Sequence, residues 1–388
     1  MTYFIKASRF LLEDGEKKDA YLQVNQDRFG FFVDEVPNQA NIIDWSGYTV
    51  APGLFDTHIH GINGYDVMDG NTEAIHGISE AILPLGVTRF LPTTLTSSEA
   101  DLEQAIKAIR DAVKQGLQGA QSEGMFLEGP YFTEKHKGAQ NPDYFCDPDE
   151  KQFLSWQQLA EGSIVKIALA PERNGAIEFI DSIHKDGVLL SIAHSDASYD
   201  CCQKAIHAGA NNFVHLFNGM SGLHHREPGV AGAAFIEEQA FAELICDGHH
   251  VHPEVASLAA KIKGNKLTLI TDCMRAGLMP DGNYMLGEFP VVMEDGIART
   301  ESGSLAGSTL RLIDGVKNLQ TWTSEPLYDI WHLASLSPAA SIGRDDLLGS
   351  IATGKIADFV VIDDQLTIQS VTVAGKEKYH KEKSEVNE

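Results

Sequence analysis

The sequence predicts an α/β fold: a (β/α)8 barrel of the TIM type carrying a small β-sandwich domain formed by both chain termini. Three observations lead there. Between residue 51 and about residue 272, eight short apolar runs alternate with helix-like stretches, as parallel strands joined by crossover helices do. The runs end in histidines, carboxylates or other polar residues, gathered at their C-terminal ends. The two chain ends, 1–50 and 345–388, read as β-rich and flank a barrel expected over 51–344.

Taken in order, residues 3–5, 20–24 and 29–33 read as short strands, broken by the turns Glu13-Asp14-Gly15 and Asn25-Gln26-Asp27. Residues 357–362 and 368–373 alternate around Asp363-Asp364, so the two ends are expected to pair. Residues 376–388 are charge-rich and expected to fray. The barrel runs are 54–60, 87–94, 124–128, 164–170, 188–194, 212–217, 241–246 and 267–272, with Pro52-Gly53 punctuating entry to the first. Helical patterns lie between them, for example over 98–114 and 176–185. An open doubly wound sheet is the alternative, but it usually carries a Gly-rich phosphate loop that this chain lacks.

Composition narrows the function. Lys+Arg total 30 against Asp+Glu 55, a formal net charge of −25. Such acidity weighs against nonspecific binding of nucleic acid or anionic membranes. It also means that an anionic ligand needs a local basic pocket. No apolar run approaches the ~20 residues of a membrane span, and the first residues lack a signal-peptide pattern. The 5 cysteines are odd in number and form no CxxC pair, which suggests reduced thiols in a cytoplasmic protein.

The chemistry gathers at the run ends. His58 and His60 are two apart on a strand, so both imidazoles project to one side. Glu128 ends the third run, His194 the fifth and His215 the sixth; Asp247 follows the seventh and Asp272 ends the eighth. Each alone has an ordinary structural reading: a loop carboxylate for Glu128, a helix-start hydrogen bonder for His194, an N-cap for Asp272. Together, on the face where such barrels collect catalytic groups, they make a metal site. Histidines and carboxylates hold a divalent ion while leaving a position open. Asp272, on the last strand, is the natural proton carrier.

This layout resembles the amidohydrolase superfamily, and longer motifs narrow it. Leu127-Glu128-Gly129-Pro130, Gly138-Ala139-Gln140-Asn141-Pro142, Ala193-His194-Ser195-Asp196 and His215-Leu216-Phe217-Asn218-Gly219-Met220 resemble the N-acetylglucosamine-6-phosphate deacetylases. So do His224-His225-Arg226-Glu227-Pro228-Gly229, Asp247-Gly248-His249-His250, Thr271-Asp272-Cys273-Met274-Arg275 and Leu305-Ala306-Gly307-Ser308. The resemblance implies that Glu128, His194 and His215 hold a principal ion and that His58 with His60 add a second. One or two divalent ions per subunit follow, from among zinc, iron, manganese and cobalt. It implies Asp272 as acid and base, and substrate contacts at Ala139, Gln140, Asn218, Gly219, Arg226, Asp247, His250, Leu305, Ala306 and Gly307. Gln140 stands where other members carry a histidine near the substrate carbonyl. A homodimer is the family expectation.

The implied reaction is hydrolysis of the N-acetyl group of an amino-sugar phosphate. An acidic protein capturing that phosphate needs a fork-shaped cation, and Arg226 supplies one. Two alternatives remain: a related amidohydrolase for another N-acyl or cyclic amide, and a non-catalytic scaffold, though no expected ligand is missing. His76, His136, His184, His207, His332 and His380 fall outside the run ends and read as structural or surface residues, and Cys273 reads as a packed thiol.

Overall fold

The computed structural model describes residues 2–381. Eight parallel strands form the central sheet, in chain order: Leu54–Ile59, Val87–Thr94, Met125–Glu128, Ile164–Leu169, Leu189–Ile192, Ala210–Phe213, Phe241–Ile245 and Leu267–Ile270. Every strand pairs with its neighbour in sequence. The barrel closes between the first and last, where the Asp272 N–H donates to the His58 carbonyl at 2.9 Å and the His60 N–H to the Cys273 carbonyl at 2.9 Å. A helix follows each strand, from Thr72–Ile82 after the first to Leu312–Trp322 after the eighth.

Local sequence explains these elements. Parallel strands covered on both faces need near-continuous apolar runs, and seven of the eight are buried throughout, or nearly so. Helix Glu99–Gln115 starts where the Ser98 hydroxyl accepts from the Asp101 N–H at 3.2 Å. It buries Leu102, Ala105, Ile106 and Ile109 at helical spacing.

The chain ends combine as expected, in one seven-stranded sheet. Its order is Lys376–His380, Ile368–Val373, Phe359–Ile362, Ile42–Pro52, Thr2–Leu12, Gly15–Asn25 and Arg28–Val33. The join between the two ends is antiparallel, with Val361 opposite Val50. Ile5, Phe10, Val24, Phe29, Val50 and Phe359 form its own core. Three differences from the sequence reading appear. The first two strands are far longer than 3–5 and 20–24. Ile42–Pro52 is an additional strand, and its first half is largely exposed, which hid its pattern. Residues 376–380, expected to fray, pair as an edge strand; 382–388 lie outside the described residues.

Arg89, on the second barrel strand, ties the two units together. Its guanidinium donates to Asp358 and to Glu123, both at 2.6 Å, and Arg344 reaches Glu123 at 3.0 Å. All but Arg344 are largely buried. Removing one member of a buried pair leaves an uncompensated charge. Arg89→Met is therefore expected to cost ~3 kcal/mol, read as a lower denaturant midpoint, with Arg344→Met costing less.

Candidate active site

Three of the residues at the strand ends leave the strand conformation. His194, His215 and Asp272 have φ of 43°, 33° and 49°. The left-handed region is costly for residues with a Cβ and accumulates where function over-determines the backbone. It also explains why the fifth, sixth and eighth strands each end two residues before His194, His215 and Asp272. A residue in that conformation cannot extend a ladder, and it turns its side chain over the mouth of the barrel.

The side chains there form two groups of three. Glu128, His194 and His215 make one; His58, His60 and Asp272 make the other. Glu128 Oε1 lies 3.3 Å from His194 Nε2, 3.2 Å from His215 Nε2 and 3.6 Å from His58 Nε2. Its Oε2 lies 3.2 Å from His60 Nε2, so Glu128 touches both groups. Asp272 Oδ1 is 3.2 Å from His60 Nε2 and 3.5 Å from His58 Nε2.

Each ring is oriented from behind. His60 Nδ1 faces the Thr93 carbonyl at 3.2 Å, His194 Nδ1 the His136 carbonyl at 2.9 Å, and His215 Nδ1 the Asn218 carbonyl at 3.0 Å. His58 Nδ1 faces Glu243 Oε2 at 3.2 Å. An acceptor at Nδ1 keeps the proton there and leaves the Nε2 lone pair pointing inward. Four such lone pairs and two carboxylates crowded together call for positive charge among them. The donor types and their open face toward a cavity fit a divalent transition ion.

The electrostatics agree. Burial alone would raise Glu128, but His58 and the hydrogen bonds from His194, His215 and His60 hold it well below the usual carboxylate range. Asp272 is likewise lowered against its burial by His58 and His60. Burial pushes His60 and His215 down, yet Glu128 and Asp272 outweigh it and raise both. Cys273 is fully buried and burial drives its thiol pKa up, so it is a packed thiol as expected.

Above the two groups opens a cavity of about 250 Å³. Of the expected contacts, Ala139, Gln140, Asn218, Gly219, His250, Leu305 and Gly307 line it, together with His60, Glu128, His194, His215 and Asp272. His58 lies beneath. Asp247 stands behind His250, accepting from its Nδ1 at 2.6 Å. Ala306 is packed into an apolar cluster beside it. Arg226 is not brought to this cavity: it is exposed, bonded to His225 at 2.7 Å, and lines a separate depression. Gln140 donates to Glu128 at 2.6 Å and accepts from the Thr96 N–H at 3.0 Å, so it holds the carboxylate in place.

Sequence reading missed Leu95, Gly138, Leu286 and Ser304, which also line the cavity. Leu286 belongs to an unforeseen three-stranded sheet, Gly282–Leu286, Phe289–Glu294 and Ile297–Thr300. Its hairpin turns, Gly287-Glu288 and Asp295-Gly296, were the available signals. His136, read as structural, supplies the carbonyl behind His194. Gly219 (φ 58°) is confined by function as well: a Cβ there would lie 2.8 Å from His194 Nδ1. Gly219→Ala is expected to displace that ring and cut activity about tenfold or more, given how steeply rate falls with small misplacements; unchanged kinetics would show that the ring yields freely.

Comparison with known proteins supplies the family. The Amidohydrolase family model matches residues 49–378. The chain is 40% identical to the N-acetylglucosamine-6-phosphate deacetylase of Vibrio furnissii over 96% of this chain and 94% of that protein. It is 37% identical to the N-acetylgalactosamine-6-phosphate deacetylase of Escherichia coli O157:H7, over 97% and 99%. The crystal structure of N-acetylglucosamine-6-phosphate deacetylase from Pasteurella multocida superposes with a TM-score of 0.92 at 28% identity, covering 98% of this chain and 100% of that one. A mutant of the Mycobacterium smegmatis N-acetyl-D-glucosamine-6-phosphate deacetylase, solved with N-acetyl-D-glucosamine-6-phosphate, gives 0.90 at 29% identity, covering 97% and 99%. With the fold, the strand-end residues and these relatives in agreement, the chain belongs to the amidohydrolase family, among the deacetylases of N-acetylated amino-sugar 6-phosphates.

Proposed function

We propose that this enzyme hydrolyses the N-acetyl group of N-acetyl-D-glucosamine 6-phosphate, giving acetate and D-glucosamine 6-phosphate. The observation that carries the reading is the convergence of Glu128, His194, His215, His58, His60 and Asp272 on the floor of one cavity. Glu128, His194 and His215 would hold the principal ion, with zinc the first to test, and His58, His60 and Asp272 a second. An ion held there supplies an acidified water and a polarised carbonyl. Asp272 takes the water's proton and returns it to the amine nitrogen as the C–N bond breaks. Asn218, Gly219 and the 305–307 segment orient the sugar, and His250, steadied at Nδ1 by Asp247, presents its Nε2 to the sugar's hydroxyls. Acetate release measured beside metal content tests this; metal-loaded protein that releases no acetate from the substrate removes it.

The galactosamine epimer is the second reading, favoured by the 37% identical relative of that name. Parallel kcat/KM values on the two epimers decide between them. We read residues 1–50 with 345–388 as the small domain and 51–344 as the catalytic one. We further read the chain as a cytoplasmic homodimer, in keeping with its five free thiols. No helix among the described residues is long and apolar enough to cross a membrane. Light scattering tests the dimer.

Arg226 is proposed as the phosphate's bidentate cation. Since its side chain stands outside the cavity above the two groups, it would reach the phosphate by a swing of its loop or from a second copy. Arg226→Met is expected to remove ~1.5–3 kcal/mol of charge-assisted bonding. The loss should fall on the phosphorylated sugar and spare unphosphorylated N-acetylglucosamine. Equal losses on both would make Arg226 structural.

A further inference from the structure

The interior of such a barrel is ordinarily filled with branched apolar side chains. Here a charged group crosses it beneath the two histidine sets. Lys166, on the fourth strand, and Glu243, on the seventh, are each 1% exposed and paired. The Lys166 ammonium also sits over the Phe126 ring, 3.9 Å from its centre. Asn212, on the sixth strand, donates to Glu243 Oε1 at 3.3 Å and to Ser191 at 3.0 Å. Lys166 and Asn212 therefore both occupy Oε1, which leaves Oε2 for His58 Nδ1. Neither Lys166 nor Glu243 lines the cavity, so neither is placed to meet substrate.

His58 differs from the other three histidines in one respect. Their Nδ1 atoms rest on backbone carbonyls, whereas that of His58 rests on a side chain. Its ring also makes an edge contact with Phe126, centroids 5.0 Å apart, beside its contacts with the His60 and His215 rings. A carboxylate behind a ligating imidazole fixes the tautomer and strengthens the ligand. We infer that Glu243, pinned by Lys166 and Asn212, is the positioning residue for the ion of the His58–His60–Asp272 set, and that it sets how tightly that second ion is held. The inference rests on the metal-dependent reading above and concerns the second ion alone.

Two double variants test it without leaving an unpaired buried charge. Lys166→Met/Glu243→Gln keeps an acceptor oxygen that can turn to His58 Nδ1; Lys166→Met/Glu243→Leu keeps none. Zinc-loaded wild type and variants are dialysed against graded zinc buffers, and ions per chain are counted by elemental analysis. Wild type and the Gln variant are expected to hold two ions. The Leu variant is expected to hold the Glu128–His194–His215 ion, which also reports an intact fold, and to bind the second ~10–100-fold more weakly. A Leu variant with wild-type affinity for both ions overturns the inference. So does one that loses both together while the Gln variant keeps them, since Glu243 would then support the whole interior. A wild type that takes up a single ion also overturns it and leaves the deacetylase reading standing. That reading fails separately, on a wild type that binds no ion or releases no acetate.

Discussion

His194→Ala is expected to lose most of the principal ion and, with it, more than ~10³-fold in activity, the scale of several kcal/mol of charge stabilisation. His194 Nε2 stands 3.3 Å from Glu128 and 3.2 Å from His215, so its removal turns three converging donors into two. Beyond these donors the ring bonds the His136 carbonyl through Nδ1 and rests against Phe132, centroids 4.6 Å apart, contacts at the cavity rather than across the core. The fold should therefore survive, and circular dichroism should match the wild type. His215→Ala should behave alike. His58→Ala should remove at most the second ion, since its Nε2 is farther from Glu128, at 3.6 Å. Full metal content in the His194 and His215 variants would sink the assignment of the principal site.

The strand-end residues were legible because a parallel barrel leaves its chemistry nowhere else to go. His58 and His60 were readable from strand alternation alone. Where the strands stop was not legible. His194, His215 and Asp272 sit in the left-handed region; His and Asp are enriched there among residues with a Cβ, but too weakly to mark individual positions as glycine does. Lys166 and Glu243 were visible as charges inside the apolar runs 164–170 and 241–246, yet a charge in a run reads as noise until a partner on another strand is known. Arg226 shows the opposite limit. Its residue type suits a phosphate, but proximity is a tertiary fact, and the loop after the sixth strand carries it to a different depression. Gln140 shows how contact changes a reading: set beside the substrate by motif, it is also the residue that steadies Glu128.

Asp272→Asn is expected to lower kcat by ~10²–10⁴-fold, the usual size of a general acid–base contribution. The carboxylate lines the cavity, and its Oδ1 faces His60 at 3.2 Å and His58 at 3.5 Å. Its backbone is pinned independently: the N–H donates to the His58 carbonyl, and the Asp272 carbonyl accepts from Ser308 at 2.7 Å. Asparagine can therefore occupy the same place and still hydrogen-bond, but it cannot carry a proton from water to the departing amine. Principal-site metal and KM should change little, which separates this variant from His194→Ala. The pH profile gives a second readout. Burial would raise the Asp272 pKa, but His58 and His60 hold it below the ordinary aspartate value. The group therefore starts ionised at neutral pH, and activity should fall only as pH drops below that range. In the variant this acidic limb should flatten, because the titrating group is gone. Near-normal turnover with metal in place would move the proton shuttle to another residue, and His250, facing the same cavity, is the next to test.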